Sequence, residues 1–297
     1  MIPADWLWIP VTVWAAFAQT VRNAAQRHLT AQLGTLGATL VRFLYGLPFA
    51  AAWLAAVAHW SGAALPGANW AFFGWVLLGA VSQIGGTALL LATMQERNFA
   101  LGVAYSKTEI LQVALFGLAF LGDPLGPATI AAVLCGTLGV LLLAPAGWAG
   151  GWVSRSAFLG LASGAGFALS AVGYRGAALA LGDTPFLMAA AATLLAAQLL
   201  QTLLLGGWLA ARAPAVIVRV LRAWRASLLA GFMGAAASAG WFTAFAIEPV
   251  AHVRTLGLVE LVFSYAVSRR LFRERLSRRE LGGMALLAVG VILVLQL

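Results

Sequence analysis

The chain has 297 residues, of which 62% are hydrophobic and 9% are charged, and its mean hydropathy is +0.94. Soluble domains average about 45–50% apolar and about 25% charged residues, so this composition excludes a soluble globular protein. The net charge of +9 does not imply a nucleic-acid partner, because arginines in the loops of a membrane protein commonly set its orientation. We therefore predict one all-α integral membrane domain.

Apolar runs bounded by charges, proline or glycine predict ten helices in chain order. Most of them approach the length of about 20 residues that spans a bilayer core. Pro10 and Pro48 fall inside the first two runs and are predicted to bend them. The predicted helices cover residues 6–22, 34–58, 70–94, 99–121, 125–144, 156–177, 185–207, 226–246, 252–271 and 278–296.

Among the connectors between the predicted helices, arginines occur only in alternate ones. The even connectors and both termini contain no Arg or Lys, only Asp5, Asp123, Asp183 and Glu248. The positive-inside rule predicts a multi-pass protein of the inner (plasma) membrane, with its odd connectors in the cytoplasm and both termini outside. Binding of anionic membrane lipid is an alternative role for these side chains. The odd connectors hold 14 arginines: Arg22, Arg27, Arg97, Arg155, Arg212, Arg219, Arg222, Arg225, Arg269, Arg270, Arg273, Arg275, Arg278 and Arg279.

An internal repeat relates the two halves of the chain, residues 1–145 and 156–297. With an offset of 151 residues, Glu109 aligns with Glu260, and the run Gly139-Val140-Leu141 aligns with Gly290-Val291-Ile292. Each half contains five predicted helices, an odd number, so the second half must cross the membrane in the inverted sense. Inverted repeats are typical of secondary transporters, whose site lies near the midplane between the halves.

Ten helices in two halves resemble the drug/metabolite transporter superfamily, in its EamA-type ten-helix branch. Each half ends with a helix of the form acidic residue, apolar spacer, Gly-Val-aliphatic: Asp123 to Gly139-Val140-Leu141, and Glu274 to Gly290-Val291-Ile292. Within the superfamily the sequence is most similar to bacterial amino-acid exporters, including those for aromatic amino acids. The resemblance implies such a substrate. Many members have cytoplasmic termini, whereas the arginine distribution here predicts the reverse.

Charged residues near the middle of predicted helices are the main candidates for a site, since charge at bilayer depth is costly. Lys107 and Glu109 lie in the helix at 99–121, and Glu260 lies in the helix at 252–271. Lys107 is the only lysine among 18 basic residues. On a continuous helix Lys107 and Glu109 would project about 200° apart, so we expect them not to pair with each other. Buried structural glutamates and a snorkelling lysine are the alternatives.

Polar and aromatic residues on other predicted helices add weaker candidates. Tyr105, Glu109 and Gln112 recur at helical spacing and form a polar stripe, which favours a wet cavity over a polar seam between helices. Other side chains that could face a substrate are Gln83, Thr87 and Trp241, although packing explains them as well. Arg42 and Arg175 lie nearer helix ends and are expected to snorkel, while His252 and Arg254 could form an outer gate or lie at the interface.

These features predict a secondary carrier that exports small amphipathic metabolites, most of all amino acids, by alternating access. Glu109 or Glu260 would bind the ammonium group, Lys107 the carboxylate, and Trp241 with Tyr105 the side chain. Carriers of cationic drugs, sugar phosphates or nucleotide sugars, and a channel, are the alternatives. An enzyme is not predicted, because HExxH, GxSxG, GxGxxG and P-loop motifs are absent. Three histidines and one cysteine also predict no metal or cofactor, and the oligomeric state is left open.

Overall fold

The computed structural model describes residues 6–96, 103, 106–143, 155–272 and 278–294 of the chain. These residues form α-helices joined by turns and short connectors, and they contain no β-strand. The helices are α1 (Trp8–Leu44), α2 (Leu47–Ser61), α3 (Trp70–Glu96), α4 (Glu109–Phe116), α5 (Pro127–Leu143), α6 (Arg155–Ala180), α7 (Phe186–Arg212), α8 (Pro214–Arg222), α9 (Trp224–Ile247), α10 (Val250–Leu256), α11 (Val259–Phe272) and α12 (Arg278–Val294). A π-helix, Gly117–Leu121, continues α4.

Four helical segments among the described residues are long and apolar enough to cross a membrane. They are Trp8–Ser61, Trp70–Gln95, Phe186–Arg212 and Trp224–Ile247. The first contains 54 residues, about 80 Å of helix at 1.5 Å per residue, against a hydrocarbon core of about 30 Å. Their length and composition indicate a membrane protein.

The first two predicted helices are not separated where the sequence predicted a connector. α1 continues through residues 22–34 and is kinked at Gly34, whose φ of 71° lies in the left-handed half of backbone space. The chain breaks later, at Tyr45–Gly46, and Pro48 lies in the first turn of α2. Pro10 likewise lies in the first turn of α1. The predicted bends at these prolines are therefore wrong, because a proline in a first turn removes no helical hydrogen bond.

The predicted helices at 99–121 and 252–271 are both interrupted near their centres. α4 begins at Glu109 after a turn at Lys107–Thr108. α10 ends at Leu256, and α11 begins at Val259 after a turn at Gly257–Leu258. Tight i→i+3 backbone hydrogen bonds bridge both breaks, from the amide of Ile110 to the carbonyl of Lys107 and from Leu261 to Leu258. The two breaks thus fall at nearly matching positions of the sequence repeat.

Helices from the two halves of the chain pack against one another in pairs. The most extensive pairings among the described residues are α3 with α6, α1 with α9, and α5 with α12. Glycines bring the backbones of α3 and α6 together: a Cβ at Gly173 would lie 2.7 Å from the amide nitrogen of Gly79, and one at Gly166 would lie 2.9 Å from the Cα of Gly86. This close packing brings polar side chains from both halves into one interior.

Candidate functional site

Glu260 lies at the centre of a buried polar network in this interior. It belongs to the first turn of α11 and is 1% exposed. Its Oε2 is 2.5 Å from the Nζ of Lys107 and accepts a 2.7 Å hydrogen bond from the Nε2 of Gln19. Its Oε1 accepts a 3.1 Å hydrogen bond from the Nδ2 of Asn23. One carboxylate therefore joins α1, the break before α4 and the start of α11.

Glu109 shares the same lysine but is held more loosely. Its Oε1 lies 3.5 Å from the Nζ of Lys107 and 3.5 Å from the Nη1 of Arg254. The expectation that Lys107 and Glu109 do not pair was wrong, because Lys107 lies in the turn before α4 and the geometry of a continuous helix does not apply to it. The structure thus brings the two repeat-related glutamates to a single ammonium group.

Trp241 forms one wall of the network and is 3% exposed. Its Nε1 donates a 2.9 Å hydrogen bond to the Oε1 of Gln19. The guanidinium carbon of Arg254 lies 4.5 Å from the centroid of the Trp241 ring, within the range of a cation–π contact. A Cβ at Gly257 would come within 2.6 Å of this ring. The glycine in the break between α10 and α11 therefore leaves room for the Trp241 indole.

Two further arginines are buried beside the network. Arg22 is 0% and Arg42 is 2% exposed, so the expectation that Arg42 snorkels was wrong, and Arg22 is not a loop residue. Arg22 donates to the Oδ1 of Asn23 from its Nη2 at 2.6 Å and from its Nε at 3.2 Å. A Cβ at Gly234 would lie 3.5 Å from the Cδ of Arg22 and 3.3 Å from the Cγ of Arg42. The two side chains therefore pass the same point of α9.

Arg42 finds only neutral acceptors among the described residues. It donates to the Oγ1 of Thr87 at 3.0 Å and to the Oγ of Ser238 at 3.4 Å. The interior consequently holds four cations, Arg22, Arg42, Lys107 and Arg254, against two carboxylates, Glu109 and Glu260. Unbalanced buried charge costs several kcal/mol per ion unless it is paired. Within the described part of the chain, this interior therefore has an excess of positive charge.

Not every predicted site residue joins this network. The Oε1 of Gln83 accepts hydrogen bonds from the hydroxyl of Tyr174 at 3.1 Å and from the Nε2 of Gln201 at 2.8 Å. Gln83 thus belongs to a second buried cluster between α3, α6 and α7. Gln112 lies on α4 with its Oε1 buried and unpartnered, and Tyr105 lies outside the described residues.

The predicted outer gate is divided between two places. His252 lies 2.6 Å from an oxygen of Glu248 and 2.9 Å from the hydroxyl of Thr129, whereas Arg254 faces Glu109. Arg175 contacts Asp123 at 3.1 Å and donates to the carbonyls of Phe245 and Glu248. It is buried, so the expectation that Arg175 snorkels was also wrong. Within the described ranges, no three His, Cys, Asp or Glu side chains are grouped as metal ligands.

Gln19, Arg22 and Asn23 are site residues that sequence reasoning missed. Arg22 and Asn23 fall at the start of the predicted connector between the first two helices, where arginines are expected to set the orientation. Gln19 falls in the first predicted helix, where it was not singled out. A signal was present in the sequence, because Thr12, Gln19, Asn23 and Gln26 are separated by seven, four and three residues. Such spacing places polar side chains on one face of an otherwise apolar helix.

A separate apolar pocket of about 540 Å³ lies between α1, α2, α7 and α9. Its wall includes Val11, Trp14, Phe49 and Trp53, and Gly240 of its lining directly precedes Trp241 in the chain. The indole nitrogen of Trp53 is buried without a hydrogen-bond partner among the described residues. The pocket thus offers space for an apolar group beside an element that also lines the polar network.

Comparisons with known proteins support the fold alone. No family model matches the chain, and no curated protein matches it. A solved structure described only as "Crystal structure of protein" aligns with 96% of this chain and 94% of its own, with a TM-score of 0.70 and 19% sequence identity. The two proteins therefore share their fold over nearly their whole lengths. Their sequence identity is too low for a function to be inferred for one from the other.

Proposed function

We propose that the protein is a secondary transporter of the drug/metabolite type, which exports small amphipathic metabolites by alternating access. The observation that carries this proposal is the buried ion network between two interrupted helices, with Lys107 shared by Glu109 and Glu260. Interrupted helices at the junction of two halves are typical of transporter sites. Charges buried within apolar helices are costly and mark functional sites by default.

The pairing of helices supports two inverted five-helix repeats in a ten-span protein. A twofold relation with an offset of about 150 residues would exchange the pair α1–α9 with the pair α6–α3, and α5 with α12. These are the most extensive pairings among the described residues. The matching breaks before Glu109 and before Glu260 fit the same relation.

Amino acids, and aromatic ones above all, are the substrates that we propose. Glu109 is the better candidate for the ammonium group, because both of its cation contacts are 3.5 Å long and are readily exchanged. Glu260 has shorter contacts with three partners. The 540 Å³ pocket is suited to an apolar side chain. Lys107 would reach a substrate carboxylate only after leaving Glu260.

Transport by purified protein in liposomes tests this proposal. We expect saturable uptake of labelled phenylalanine that is inhibited by unlabelled amino acid, measured with and without a pH gradient. Glu109→Gln should reduce this uptake at least tenfold, whereas Arg222→Ala, on the exposed surface of α8, should leave it unchanged. Flux that rises linearly with concentration would indicate a channel, and absence of flux for every amino acid in a panel would contradict the assignment.

A further inference from the structure

Arg22 and Arg42 are the strongest candidates for a ligand-binding group that the carrier proposal has not used. Both side chains are almost completely buried, at 0% and 2% exposure. The ion pairs of the described residues include no carboxylate partner for either one. Within the described part of the chain, the Nη1 of Arg22 is buried without a hydrogen-bond partner. A guanidinium at this depth without a carboxylate in direct contact is unusual for a purely structural residue.

We infer that Arg22 and Arg42 form an oxyanion subsite, which binds the carboxylate or phosphate group of the transported molecule. This inference rests on the proposed function and specifies the substrate as an anion or a zwitterion. It also moves the carboxylate partner away from Lys107, which is already engaged by Glu260 at 2.5 Å.

The geometry of the two arginines suits one bound oxyanion. Their stems, both from α1, pass within 3.3 and 3.5 Å of the same Cβ position at Gly234 of α9, so the two side chains run past one point of the interior. The planar guanidinium binds carboxylate and phosphate with two parallel hydrogen bonds. The free Nη1 of Arg22 supplies one donor, and the bonds from Arg42 to Thr87 and Ser238 are neutral and exchangeable.

Charge balance supports the same assignment. One carboxylate would reduce the excess of two positive charges in the described interior to one, and a phosphate dianion would remove it. Among the described residues the Nε of Arg254 is also buried without a hydrogen-bond partner, so it provides a further donor in this interior.

Binding to the purified full-length protein, measured without transport, tests this subsite. The probes are 3-phenylpropionate, phenethylamine and inorganic phosphate, titrated calorimetrically against protein in nanodiscs. We expect the wild type to bind one of the two anions at least tenfold more tightly than the amine. The ratio between carboxylate and phosphate then identifies the oxyanion.

Neutral variants assign the binding to the arginines. Arg22→Gln and Arg42→Gln should each weaken anion binding by about 10- to 100-fold, and Arg42→Lys should retain part of it. Arg175→Gln is the matched control, since Arg175 is also buried but is paired with Asp123, and its folded fraction should bind anions normally. Unchanged anion affinity in both neutral variants, or no anion binding by the folded wild type, would overturn the inference.

Thermal stability without ligand provides an independent measurement. If Arg22 and Arg42 are uncompensated charges kept for a ligand, neutralising either one should leave the melting temperature unchanged or raise it. Arg175→Gln should lower it. A marked loss of stability in both Arg22→Gln and Arg42→Gln would assign them a structural role instead. Failure of transport with intact anion binding would count against the carrier proposal and leave the subsite standing.

Discussion

At the scale of single residues, the stability of the interior depends on which of its buried ionised side chains are paired. Glu260 accepts contacts from Lys107, Gln19 and Asn23, all within 3.1 Å. Lys107 has only the two glutamates as charged partners among the described residues. Loss of one member of a buried pair leaves the other charge uncompensated, which costs more than loss of the whole pair.

Substitution at Glu260 should therefore destabilise the protein strongly. We expect Glu260→Gln to lower the free energy of unfolding by about 3–5 kcal/mol, because Lys107 is left with only the longer, 3.5 Å contact to Glu109, which Arg254 shares. The double variant Lys107→Met/Glu260→Gln should recover much of this loss. Denaturant titration in mixed micelles measures both, and additive effects of the two single changes would contradict direct pairing.

At the scale of elements, the kink in α1 depends on a glycine conformation. Gly34 has φ 71° and ψ 171°, a region that is essentially restricted to glycine. A side chain there would meet no neighbouring atom within 4 Å, so any penalty must come from the backbone.

Gly34→Ala should destabilise the protein by about 1–3 kcal/mol through backbone strain alone. Gly207 is the matched control, since it lies within helix α7 and also has nothing within 4 Å of its Cβ position. Gly207→Ala should stabilise by about 0.5–1 kcal/mol, because alanine is the better helix former. Equal effects of the two substitutions on the unfolding free energy would refute a glycine-dependent kink.

The pairing of α3 with α6 depends on close backbone approach rather than on glycine conformation. A Cβ at Gly173 would lie 2.7 Å from the backbone nitrogen of Gly79, so a methyl group must push the two helices apart. We expect Gly173→Ala to cost about 1–3 kcal/mol. Gly85→Ala, on α3 itself but with no atom of the described residues within 4 Å of its Cβ position, should instead stabilise by about 0.5–1 kcal/mol in the same unfolding assay, as for Gly207.

At the scale of the whole molecule, the arginine distribution predicts the orientation in the membrane. Gly62 and Arg219 are both exposed and belong to connectors of opposite kind. Cys135 is the only cysteine, and its replacement by serine gives a background for labelling. A cysteine at position 219 should react only from the cytoplasmic side and one at position 62 only from outside. Labelling of position 219 by an impermeant reagent on intact cells would reverse the orientation.

Long apolar runs with clear ends were predictable from the sequence. The predicted helices at 70–94, 185–207 and 226–246 correspond closely to α3, α7 and α9. The passage of α1 through residues 22–34 was not predicted, although the helical spacing of Gln19, Asn23 and Gln26 indicated it, because polar residues equally fit a connector and their partners lie beyond the next helical turn. Gln26, for example, donates to the carbonyl of Ala38. The break at Lys107–Thr108 contains neither glycine nor proline, so the local sequence did not predict it.

Of the candidate site, the sequence repeat predicted only the two glutamates and not the buried arginines. Alignment of Glu109 with Glu260 placed the two acids together, and the structure brings both to Lys107. Arg22 and Arg42 required the tertiary structure, because arginines near predicted helix ends are ordinarily interfacial. Their burial, and the packing of α9 at Gly234 against their stems, distinguish them from such residues.

The Lys107–Glu260 contact joins residues 153 positions apart, and Gln19 meets Glu260 across 241 positions. During synthesis the ribosome therefore releases Arg22, Arg42 and Lys107 long before it makes the acid that completes their surroundings. The nascent first half must keep three cations and one glutamate at or near the lipid until the second half emerges. Quality-control proteases would therefore act most readily on this incomplete chain. When the two halves are expressed as separate chains, each should accumulate only if the other is present.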